Sequence, residues 1–216
     1  MKEFKHLPGL DLIRVFGILV VVFYHYQVET AVRGLCPADF LPAMEPLVQV
    51  AVYTMTLLSG SCLCWQEKSR SWSMKRYLWG RFLAIYPLFW LCFFPIFIYS
   101  DIICGNNEGV APWKLLLSIV GVDGYFQSFT PTFYKIGEWY LGCILFLYAV
   151  FPVLWRMIRR RGVVFAAVGA LFAWLACCFV ENPGQLYPTL IGQLPLFFMG
   201  IFLGGCLPSL WIPGIL

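Results

Sequence analysis

Apolar residues gather in six runs separated by short polar or basic stretches. The runs lie at about Leu10–Val28, Pro46–Trp65, Phe82–Ser100, Ile136–Trp155, Gly162–Val180 and Pro188–Leu207. Each approaches the roughly 20 residues that carry a helix through a bilayer core. None alternates as a membrane barrel strand does. Backbone groups in lipid must pair within the protein, so helices are predicted. The first run carries Asp11 and Arg14 and lacks a small-residue cleavage site, so it reads as a retained helix rather than a signal peptide. The predicted fold is all-α: a polytopic transmembrane bundle of about six spanning helices, one domain over residues 1–216 with no repeat or linker.

One connection breaks this rhythm. Between Asp101 and Lys135 the chain holds Pro112, Trp113 and a short apolar piece, Leu115–Val122, too brief to span. A re-entrant or interfacial helix is predicted there.

Composition removes the soluble alternatives. Hydrophobic residues make up 61% of the chain and charged residues 12%, with a mean hydropathy of +0.78. Soluble domains carry about 25% charged residues. A disordered chain, a nucleic-acid module and an ordinary cytosolic enzyme are excluded. The net charge of +4 matters by position. With the N-terminus inside, Lys2, Lys5, Arg14, Lys68, Arg70, Lys75, Arg76, Arg81, Arg156, Arg159, Arg160 and Arg161 fall on the inner side. Arg33, Lys114 and Lys135 fall outside. That asymmetry predicts a cytoplasmic N-terminus and an even number of spans.

The nine cysteines do not form a disulfide framework, since seven lie in apolar runs. Without a C-x-x-C spacing no metal is expected. Cys36 and Cys104 occupy outward segments, which leaves a bridge between them open.

The charges inside the first run carry the chemistry. Arg14 and His25 are eleven positions apart, about three turns, on one face and roughly 16 Å apart along a helix. Asp11 sits three residues before Arg14 and can pair with it. Arg14 and His25 read either as snorkelling anchors or as a functional pair facing a cavity. Glu138, at the start of the fourth run and opening its helix, reads as a carboxylate at a helix N-terminus or as a substrate contact with Trp139 as a stacking face. Ser59 and Gly60 read as a close-packing pair or, for Ser59, as a substrate contact.

Leu10-Asp11-Leu12-Ile13-Arg14, followed after ten residues by His25, resembles the first helix of the membrane acyltransferase 3 family. Leu58-Ser59-Gly60 resembles that family's second-helix Ser-Gly. Arg81-Phe82-Leu83-Ala84-Ile85-Tyr86-Pro87 resembles its Arg-x-x-Arg-Ile-x-Pro segment, with Ala84 in place of the second arginine. Gly137-Glu138-Trp139-Tyr140-Leu141-Gly142, running on to Phe151-Pro152, and Leu194-Pro195-Leu196-Phe197-Phe198-Met199-Gly200 resemble later helices. The pieces are collinear over nearly the whole chain. Family members have about ten helices, so a C-terminally truncated version of that fold is expected.

The resemblance implies an O-acyltransferase of the plasma membrane. Its donor would be acyl-CoA, most simply acetyl-CoA, taken from the cytoplasm without a metal. Its acceptor would be a carbohydrate or related cell-surface hydroxyl outside. His25 and Arg14 become the catalytic pair, with His25 as general base or acyl carrier. Lys75, Arg76 and Arg81 become candidates for the donor phosphates, and Glu138, Trp139 and Ser59 for the acceptor. No nucleic acid is involved. Two other classes fit the bundle: a transporter using Arg14 and His25 as an ion relay, and an inactive assembly subunit.

Overall fold

A computed structural model describes residues 8–35, 37–68, 71–106, 109–126, 129–135, 138–179 and 189–210. Cys36, Ser69, Gly137 and the chain ends lie outside the described residues. Seven α-helices follow in order among them: α1 Pro8–Val32, α2 Leu41–Lys68, α3 Met74–Phe97, α4 Leu115–Val120, α5 Trp139–Arg161, α6 Val164–Cys178 and α7 Leu190–Leu210. There is no strand among the described residues, and the all-helical membrane bundle is the observed fold class.

Each apolar run is a helix, with shifted ends. Helix α2 starts earlier than its run, because Pro42 sits in the first turn, where the backbone N–H groups have no helical partner anyway. Helix α3 starts at the Ser73 cap, eight residues before the apolar run. It then continues through a π-turn at Ile98–Ile103 to give 30 helical residues. Among the described residues four helices are long and apolar enough to cross a membrane: α1, α2, α3 with its π-turn, and α5. Helix α6 is shorter. At 15 residues α6 is about 22 Å long, less than a bilayer core. It is shortened at its start by Gly162, whose φ of 80° turns the chain out of α5.

The described residues fall into two compact units. The first draws on 1–70, 157–187 and 191–216, the second on 71–156 and 188–190. In the first, α2 and α7 approach through glycine. A Cβ at Gly60 would stand 2.4 Å from the Phe197 carbonyl oxygen; at Gly200 and Gly204 it would stand 2.1 Å from those of Leu57 and Ser61. Without a hydrophobic drive between helices in lipid, such backbone proximity gives the packing. Between the same helices the buried Thr56 hydroxyl donates to Gln193 Oε1 at 2.7 Å.

In the second unit the predicted short helix is present as α4, preceded by a 3₁₀ turn at Pro112–Lys114. Its last carbonyls would be orphaned away from water. Tyr86 of α3 donates its hydroxyl to Val120 O at 3.0 Å, and Trp90 donates its indole N–H to Ile119 O at 2.9 Å. Gly121, at φ 79°, closes the turn back onto Leu117 and Ser118. Tyr86 and Trp90 lie near the middle of the 30-residue Met74–Ile103 stretch. The connection therefore folds back to mid-length of α3.

Candidate functional site

Arg14 sits two turns into α1, half-exposed. Its Nη1 reaches Asp11 Oδ1 at 3.2 Å, the pair the spacing predicted. Its Nη2 donates to Cys62 Sγ of α2 at 2.9 Å. Gly17, one turn further along, also faces α2, where a Cβ would stand 3.1 Å from Met55 Cε. His25 lies on the same unbroken helix and is exposed. The Tyr24 ring meets it edge-on at 5.9 Å. It is Tyr24 that packs against Val20, Val48 and Ala51. Ser59 donates its hydroxyl to Met55 O of its own helix at 2.8 Å, and Gly60 is the packing residue described above.

The remaining predicted site residues belong to the second unit. Lys75 is exposed, Arg76 is half-buried, and the Ser73 hydroxyl accepts from the Arg76 amide at 3.5 Å. Cations in the first turns of a helix oppose its macrodipole. Helix stability therefore does not explain this basic start to α3. Arg81 lies with its guanidinium carbon 5.5 Å from the Tyr148 ring centroid, and its buried Nε has no hydrogen-bond partner. Ala84, where the family motif has arginine, is exposed.

Glu138 directly precedes α5 rather than opening it, and its carbonyl accepts from Gly142 N at 3.0 Å. The side chain is 2% exposed and accepts from Lys135 N at 3.3 Å. Trp139 is half-buried. Gly124 lets the chain pass it, since a Cβ there would stand 2.6 Å from Trp139 Cα.

Sequence reasoning missed three polar groups of this unit. Asp101, in the π-turn, is buried and pairs with Lys135 Nζ at 3.1 Å. Asp123 is wholly buried and neither carboxylate oxygen is hydrogen-bonded. Burial pushes its carboxyl pKa up, although the Ser118 hydroxyl and the Asp123 and Gly124 amides nearby favour the charged form. Tyr134 beside it is pushed up mainly by burial, and further by the Glu138 and Asp123 charges. Asp101, Asp123 and Lys135 all stand in or beside a connection that reads as solvated. Asp101 and Asp123 are nonetheless buried and Lys135 half-buried, which no local pattern announces.

Among the described residues no three His, Cys, Asp or Glu side chains gather as a metal ion would require. What the first unit offers instead is a guanidinium with two fixed partners and an imidazole three turns further along the same helix. A guanidinium has five N–H donors in a planar fork. Two contacts leave donors for an oxygen-rich ligand.

Comparison with known proteins gives two matches. A family model described as an acyltransferase domain, of the acyltransferase 3 type, matches residues 7–207. A curated relative from Streptomyces mycarofaciens, named acyltransferase MdmB, is 26% identical over 191 residues, covering 82% of this chain. The chain spans about half the length of that relative, 47%. No solved structure matches.

Proposed function

We propose, starting from the fact that this chain belongs to the acyltransferase 3 family, that it acts in moving an acyl group from cytoplasmic acyl-CoA to a hydroxyl of an extracytoplasmic carbohydrate or related surface acceptor. Acetyl is the simplest acyl group for the role. The membrane bundle and the acyltransferase relative support the general class. The single observation that carries the finer reading is Arg14, a cation inside an apolar helix, tied on two sides with its fork half-open.

In this reading Arg14 binds donor oxygens near the cytoplasmic end of α1. Lys75, Arg76 and Arg81, within the second unit, are by themselves the candidates for the donor phosphates. A donor extended along α1 would bring its thioester toward His25, roughly 16 Å away. The imidazole takes the acceptor hydroxyl's proton as that oxygen bonds to the acyl carbon. The carbon–sulfur bond breaks, and coenzyme A leaves as a thiolate that takes up a proton. Ser59 in the first unit and, separately, Glu138 and Trp139 in the second are the candidates for contacts to the acceptor. The N-terminus is cytoplasmic and the membrane is the plasma membrane.

The donor assignment is tested by Arg81→Ala in the intact protein. Losing one charged hydrogen bond costs about 1.5–3 kcal/mol, so the KM for acetyl-CoA should rise by about tenfold or more while kcat holds. An unchanged KM with a fallen kcat would place Arg81 on the transition state and overturn the phosphate role.

A further inference from the structure

The family motif accounts for Arg14 and His25 but says nothing of what the arginine leans on. A long guanidinium side chain carries large rotamer entropy, and binding a ligand with it is weak unless that freedom is already spent. Asp11 fixes one Nη from the same helix, three residues away. An i,i+3 partner on one helix leaves the fork free to swing about that contact. Cys62 supplies the second point from the neighbouring helix, where its half-buried sulfur accepts from the other Nη at 2.9 Å.

We propose that Cys62 is a positioning residue: with Asp11 it clamps the Arg14 guanidinium between α1 and α2 so that its remaining N–H groups face the acyl donor. The proposal rests on the donor-side reading of Arg14. Sulfur suits the place for two reasons. It accepts a hydrogen bond away from water, where an unmet guanidinium donor would be costly. It is also small enough to leave the fork room, whereas leucine or methionine at this position would fill the space the guanidinium occupies. One turn further on, Gly17 packs against the same helix, beside Met55 and Ala51.

The test is a double-mutant cycle in the intact protein, read as the KM and kcat for acetyl-CoA in membranes and as melting temperature after extraction. The variants are Arg14→Ala, Cys62→Ala, their combination, and Cys62→Ser. Cys62→Ala should raise the donor KM about three- to tenfold, the scale of one hydrogen bond, with kcat held within about twofold. Cys62→Ser, which keeps an acceptor, should restore the KM. The double variant should be no worse than Arg14→Ala alone, because the thiol acts only through the arginine. A parent-like KM for Cys62→Ala, or multiplying effects in the double variant, would overturn the proposal. If Arg14→Ala itself leaves the KM unchanged, the donor reading of Arg14 fails. Melting shifts that still fail to add would then make the clamp a structural tie and end its positioning role.

Discussion

Pro152 leaves the carbonyl of Tyr148 without its helical donor, and the Tyr77 hydroxyl takes that place at 2.7 Å. Polar atoms that a helix cannot satisfy by itself decide much of this molecule, and the buried carboxylate of Asp123 is another. Its ordinary pKa of 3.8 is raised by burial. The folded protein therefore holds the proton more tightly than the unfolded chain. Stability is undiminished below 3.8, falls as pH rises through the raised value, and stays lowered above it. Asp123→Asn cannot ionise, so its melting temperature relative to the parent should be higher at about pH 8 than at about pH 4. An equal difference at both would mean the carboxylate carries no burial penalty. The Arg14–Asp11 pair was legible from spacing, because partners three residues apart on a helix must be neighbours. Cys62 was not, since a thiol in an apolar run looks like any small hydrophobe until the facing helix is known.

Among the elements, the α2–α7 contact is the tightest described. Gly200 and Gly204 repeat at a spacing that keeps both on one face, and each meets a carbonyl of α2. Gly200→Ala should cost about 1–3 kcal/mol through overpacking. It should lower the melting temperature of the extracted protein. Gly80→Ala, in α3 with nothing within 4 Å of its Cβ, is the control; it should leave melting unchanged or raise it, since alanine favours helix. Equal losses at both positions would contradict the close-packing role. The helices were legible because lipid demands long apolar runs, but their ends were not. Lys75 and Arg76 looked like loop charges, although Ser73 caps a helix that already includes them. The six-residue α4 was legible as too short to span. Its docking through Tyr86 and Trp90 is a long-range contact that no run of residues records.

For the whole molecule, the asymmetry of Lys and Arg fixes an expected orientation that the fold alone does not carry. Cys104 follows the π-turn, exposed and free. An impermeant maleimide added outside intact cells should label it, and Cys104→Ser should remove that label. Labelling only after the membrane is opened would invert the orientation and with it the donor side. Removal of the acceptor's proton by the imidazole on α1 is checked by transfer of labelled acetyl from acetyl-CoA by the intact protein carrying His25→Gln. Glutamine fills the space but cannot take a proton, so the rate should fall by roughly 10²–10⁴ at unchanged protein abundance. Transfer within a few-fold of the parent would remove His25 from the chemistry.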